Sequence, residues 1–152
     1  MSQLKEVYSQ ILLQHYRKPH NFGELANADI TEKGINAACG DDIRVFIKLD
    51  GDRIEHITYD GHGCAISQSS ASMMTDVLKG KTIMEALKLE EVIRQMFAGE
   101  KPFPEDGEFQ DITSLKGVVS SPALVKCASL SWNTVKAGFE KFKRNGQSEH
   151  EA

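Results

Sequence analysis

From Asp42 to Leu49 apolar and polar side chains alternate, with Ile43, Val45, Ile47 and Leu49 on one face and Arg44, Phe46 and Lys48 on the other. A period of two fits an extended strand with one buried face. Asp50-Gly51 supplies the chemistry of a tight turn, and Arg53 to Tyr59 gives the return strand of a hairpin. On either side the period lengthens to that of a helix. Leu4, Val7, Tyr8, Ile11, Leu12 and Tyr16 form one apolar stripe until Pro19 forbids continuation. Ile66, Ser70, Met73, Met74, Val77 and Leu78 mark a second helix ending near Gly80. Thr82 and Glu85 have the form of a capping box that opens a third, running to Met96 and Phe97 with Gly99 as its stop. Ser121-Pro122 starts a fourth, bearing Leu124, Ala128, Val135, Phe139 and Phe142. Met73 and Met74 read as core filling, and Trp132 with the Phe139/Phe142 pair as core anchors. This order predicts an α+β fold: a small antiparallel β-sheet of about three strands, covered by several α-helices on one side. The third strand comes from the weakly patterned stretch around Glu32 to Ala37.

The 152 residues suit one domain over 1–145, followed by a polar, flexible tail over 146–152. Gly99 to Asp111, with two prolines, two glycines and five acidic residues, reads as an exposed loop. No run of apolar side chains exceeds three residues, which excludes a bilayer span. The start, MSQLKEVYSQ, has no secretory signal, so the cytoplasm is the expected compartment. A net charge of -4 argues against a nucleic-acid partner, whose binding needs a concentrated Lys/Arg surface.

Three cysteines, Cys39, Cys64 and Cys127, are an odd number and cannot close a disulfide framework; cytosolic thiols stay reduced in any case. They are either small core residues or chemistry. Cys39 and Asp41, two apart, project to the same side if the segment is extended. Cys64 begins a helix and Cys127 falls in the first turns of another, where unpaired amides and the helix dipole favour a thiolate. Three thiolates and one carboxylate make four donors, the number that tetrahedral zinc takes, if they converge. Gly40, Gly61 and Gly63 beside them permit close backbone approach. His62, two residues before Cys64, reads as a loop histidine that tunes local charge. His15, His20 and His56 have no motif around them. A cysteine-histidine hydrolase built on Cys39 lacks any recognisable triad or oxyanion signature.

Four strings, Cys39-Gly40-Asp41, Gly61-His62-Gly63-Cys64-Ala65-Ile66-Ser67, Ser70-Ala71-Ser72-Met73-Met74 and Lys126-Cys127-Ala128-Ser129-Leu130-Ser131-Trp132, occur in this order. Together they resemble the U-type iron-sulfur cluster assembly scaffolds, IscU/NifU-like proteins, over about Val7 to Phe139. Lys126 stands where the IscU branch has a histidine ligand, and Ser121-Pro122-Ala123-Leu124-Val125 lacks that branch's double proline. With the longer stretch between Cys64 and Cys127, this points to the SufU branch. The resemblance implies a zinc ion held by Asp41, Cys64 and Cys127, with Cys39 as fourth ligand or as sulfur acceptor. It also implies a pyridoxal-phosphate-dependent cysteine desulfurase of the SufS type as partner, alongside other Suf assembly components. The activity implied is a sulfurtransferase-like persulfide transfer rather than hydrolysis or oxidoreduction. Two other roles stay open: a scaffold that carries a transient iron-sulfur cluster on the three cysteines, and a protein with a purely structural zinc. Ala37 stands where a proline is common in the branch, and Leu124 where an arginine often appears.

Overall fold

The alternating stretch forms two long strands of a three-stranded sheet in a computed structural model that describes residues 10–104, 107 and 109–151, the side chains of 146–151 excepted. The elements in chain order are α1 (Gln10–Arg17), β1 (Ile30–Asn36), a 3-10 turn (Ala37–Cys39), β2 (Asp41–Asp50), β3 (Arg53–His62), α2 (Ala65–Leu78), α3 (Ile83–Phe97), α4 (Gln110–Thr113), a second 3-10 turn (Lys116–Ser120) and α5 (Pro122–Glu151). The sheet is antiparallel in the order β1-β2-β3. Gly51 and Asp52 link β2 to β3, and the register shifts at Lys48/Leu49. Ile43, Val45 and Ile47 are buried as the alternation requires.

β1 starts at Ile30, ahead of the expected position. Its burial alternates, yet the more sheltered positions after Ile30 are Glu32, Gly34 and Asn36, so no apolar alternation marks the strand. Lys141 Nζ on α5 lies 2.7 Å from Glu32 Oε2, and α5 runs across β1 and β2 while α2 packs on β3. Both helices thus cover one face. Phe46, on the opposite face, is also buried: the Arg44 guanidinium lies 5.1 Å from its ring centroid, and the segment around Glu24 to Ala28 stands beside it.

α2 is the centre of the helical layer, with twelve of its fourteen residues buried. Four serines let neighbours approach closely, and each hydroxyl finds a partner. Ser67 Oγ donates to the Cys64 carbonyl, Ser69 Oγ to the Leu12 carbonyl on α1, and Ser70 Oγ to the Ala128 carbonyl on α5. Ser70 also accepts from the Trp132 indole at 3.0 Å, and Ser72 accepts from the His20 backbone at 2.8 Å. A buried hydroxyl left without a partner costs about 1–3 kcal/mol, so these bonds fix which helix lies where. Met73 and Met74 fill the core as expected. The expected capping box on α3 is present in both directions, Thr82 N–H to Glu85 Oε1 at 2.9 Å and Glu85 N–H to Thr82 Oγ1 at 3.1 Å.

Several expectations need correction. Tyr16 is exposed on α1, while Leu12 and His15 are the buried residues of that helix; Leu4, Val7 and Tyr8 lie outside the described residues. The 99–111 stretch is only partly an exposed loop, since Phe103 and Phe109 pack against the core and α4 begins at Gln110; Glu105, Asp106 and Glu108 lie outside the described residues. The backbone of α5 is helical to Glu151. Phe139 and Phe142 are not a pair of anchors: Phe139 is 1% exposed and Phe142 39%. Phe142 lines an open groove between α3 and α5 with Ile83, Met84 and Leu87. Among the described residues no helix is long and apolar enough to cross a membrane.

The difference between the two phenylalanines is measurable. Phe139→Ala should cost about 3–5 kcal/mol in urea unfolding. Phe142→Ala should cost about 1 kcal/mol or less.

Candidate metal centre

Three separate segments meet at the end of the sheet where β1 passes into β2. After Asn36 the chain makes the 3-10 turn Ala37–Cys39, closed by the Gly40 N–H to the Ala37 carbonyl at 3.2 Å. Gly40 takes φ 68, a left-handed conformation that costs a side chain about 1–2 kcal/mol and glycine little. The segment is therefore not extended through Cys39. The turn puts Cys39 at an exposed tip, and the reversal at Gly40 starts β2 with Asp41 directed inward, 1% exposed. Asn36 and Asp41 are register partners across the turn.

The second segment is the junction between β3 and α2. Cys64 is the N-cap of α2, and its Sγ accepts from the Ser67 N–H at 3.5 Å. The Cys64 N–H donates to Asp41 Oδ1 at 2.8 Å, and Cys64 Sγ stands 3.9 Å from Asp41 Oδ2. Gly63 is required here: a β-carbon on it would collide with the Asp41 carboxylate and crowd Ser67 Oγ.

The third segment is α5, which brings Cys127. This cysteine is fully buried, and its Sγ lies 3.2 Å from Cys39 Sγ. It is the sixth residue of α5, past the first turn, so the expected help from the helix start does not reach it. Burial instead pushes the Cys127 thiol up, and its contacts with Cys39, Cys64 and Asp41 push it further in the same direction. A metal ion reverses that tendency, because a coordinating thiol is held deprotonated.

Cys39, Asp41 and Cys127 thus place one donor atom each within 4.8 Å of one another. Cys64 stands against Asp41 without joining that tightest set. His62 is exposed at the end of β3 and is not part of the set. Three sulfurs and one carboxylate, drawn from both ends of the sequence and partly withdrawn from water, suit a borderline-soft cation with tetrahedral preference.

Asn36 was not singled out by sequence reasoning, although it occupies the centre of this arrangement. Its Nδ2 donates to Asp41 Oδ2 at 3.3 Å and lies 3.5 Å from Cys127 Sγ, so one amide bridges donors from β2 and α5. The only signal for it was an asparagine three residues before a cysteine. Its role depends on a strand register that the weak pattern of β1 concealed.

Residues 7–149 match the family described as the NifU-like N-terminal domain. The chain is 41% identical to the zinc-dependent sulfurtransferase SufU of Bacillus subtilis over 138 residues, 91% of this chain and 92% of that one. It is 36% identical to the iron-sulfur cluster assembly scaffold protein IscU of Streptococcus pyogenes, over 99% of this chain and 91% of that one. Among solved structures, a protein assigned as an iron-sulfur cluster assembly scaffold for the SUF system of Fervidobacterium islandicum superposes with a TM-score of 0.78 at 33% identity, covering 89% of this chain and 98% of that one.

Removing the bridging amide should loosen the metal site without unfolding the protein. Asn36→Ala is expected to weaken zinc binding by about 10–100-fold in competition with a chelator, the usual effect of losing an outer hydrogen-bond partner. The circular dichroism spectrum should not change.

Proposed function

Since the chain belongs to the NifU-like N-terminal domain family of iron-sulfur cluster assembly proteins, we propose that it is a zinc-dependent sulfur acceptor, with Asp41, Cys64 and Cys127 holding the ion and Cys39 as fourth ligand and acceptor. The observation that carries this reading is the division of the cluster by exposure. Asp41 and Cys127 are buried and fixed, whereas Cys39 sits on a turn open to solvent with its sulfur 3.2 Å from that of Cys127. A partner can reach Cys39 without dismantling the rest. The sulfurtransferase of B. subtilis carries zinc dependence in its name, which supports assigning the same ion here.

Bound there, zinc keeps its sulfur ligands as thiolates near neutral pH and brings no redox chemistry of its own. The Cys39 thiolate attacks the outer sulfur of a persulfide on a pyridoxal-phosphate-dependent cysteine desulfurase of the SufS type. A bond forms between Cys39 Sγ and that sulfur, the donor's S–S bond breaks, and the donor cysteine leaves as a thiolate. Electrons balance without an oxidant or reductant. Asp41, held by the Cys64 N–H and the Asn36 amide, keeps its place while Cys39 reacts. The sulfur then passes to other components of the assembly machinery, in the cytoplasm, where thiols stay reduced.

Cys39→Ser should abolish persulfide formation, read by intact mass after incubation with desulfurase and cysteine, while zinc is largely retained. Undiminished sulfur acceptance by that variant overturns the assignment. Purified wild-type protein with an iron-sulfur chromophore in place of zinc would favour a cluster-building scaffold, and zinc with an inert Cys39 a structural ion.

A further inference from the structure

A second group of ligating side chains meets where the chain leaves α1 and crosses α2, and it plays no part in the cysteine cluster. One ring nitrogen of His15, one of His20 and a carboxylate oxygen of Asp76 lie within 4.8 Å of one another. His20 Nδ1 is 2.5 Å from Asp76 Oδ2, and the two imidazole centroids are 4.4 Å apart. Asp111, at the start of α4, places Oδ2 2.8 Å from His15 Nε2. His15 is buried and its ring is locked, with Nδ1 2.7 Å from Ser72 Oγ. The other three side chains are open to water, at 50% for His20, 42% for Asp76 and 49% for Asp111.

The charges do not balance. Among the described residues neither Asp76 nor Asp111 has a lysine or arginine within 4.0 Å; their ion-pair partners are histidines, which carry charge only when protonated. Among the described residues Asp76 Oδ1 is engaged only by the neutral Asn21 amide at 3.2 Å. Two imidazoles and the Asp76 carboxylate gathered at one point, with Asp111 against His15 and no lysine or arginine among the described residues within 4.0 Å of either carboxylate, form a donor set lacking only its positive charge.

We propose that His15, His20 and Asp76, with Asp111 as a fourth donor, form a second divalent-metal site, of nitrogen and oxygen ligands, for a borderline ion such as zinc, cobalt or nickel. Tetrahedral ligand distances of about 2.0–2.2 Å set neighbouring donors about 3.3–3.6 Å apart, so His20 and Asp76 separate by about 1 Å to admit the ion. Both are half exposed and free to do so, while His15 stays on Ser72. The ion ties the segment after α1 to α2 and α4, which adds stability by linkage. This site stands independently of the role assigned to the cysteines.

The test uses full-length protein without an affinity tag, first loaded with one equivalent of zinc and then titrated with cobalt(II). The expected result is one further equivalent with weak visible absorption and no sulfur-to-cobalt charge-transfer band. His20→Ala and Asp76→Asn should each weaken that second equivalent at least tenfold while the first zinc and the circular dichroism spectrum are retained. No second binding up to about 1 mM cobalt, a second equivalent unchanged in both variants, or a charge-transfer band placing cobalt on the cysteines overturns the proposal.

Discussion

The Asp41 carboxylate is the point on which the cysteine cluster of this protein depends. It is 1% exposed, and an isolated buried carboxylate carries a penalty of several kcal/mol unless it is hydrogen-bonded and paired with a cation. The Cys64 N–H and the Asn36 amide supply part of that compensation, and Gly63 leaves room for it. No lysine or arginine among the described residues lies within salt-bridge distance of Asp41. Hydrogen bonds hold the carboxylate in place while leaving its charge to be met, which is the condition a metal ligand needs. The same contacts draw the turn after β1, the start of α2 and, through Asn36, α5 onto one point.

The rest of the fold holds those segments in position. α2 carries Cys64 at its N-terminus and is fixed by serine hydroxyls that bond to α1 and α5, with the Trp132 indole closing the contact at Ser70. α5 crosses β1 and β2, so Cys127 and the Cys39 turn are positioned by one packing interface. A helix that slipped by one residue would rotate its side chains by about 100° and break both the hydroxyl bonds and the sulfur contact. The motif around Ser70 to Met74 thus contributes architecture, while the candidate ligand Cys64 stands at the helix end.

Much of this was legible in the sequence where local rules decide. The period of two gave β2 and β3, the Thr82/Glu85 pair gave the start of α3, and Ser121-Pro122 gave the start of α5. β1 was half-hidden because an edge strand covered by α5 fills its sheltered positions with Glu32, Gly34 and Asn36 rather than with aliphatic residues. Phe142 looked like Phe139 because spacing along a helix does not say where the neighbouring helix stops. The ligand candidates were legible as residue types. That Cys127 is fully buried, that Asn36 bridges it to Asp41, and that His15 joins Ser72 and Asp111 depend on pairings 91, 57 and 96 residues apart in the chain, which no local pattern carries.

The most direct test of the proposed centre is X-ray absorption at the zinc K-edge of the purified protein, which counts sulfur against lighter ligands. Asp41 with Cys39, Cys64 and Cys127 predicts three sulfurs at about 2.3 Å and one oxygen at about 2.0–2.2 Å. A first shell made only of nitrogen and oxygen, or one with a single sulfur, would contradict it.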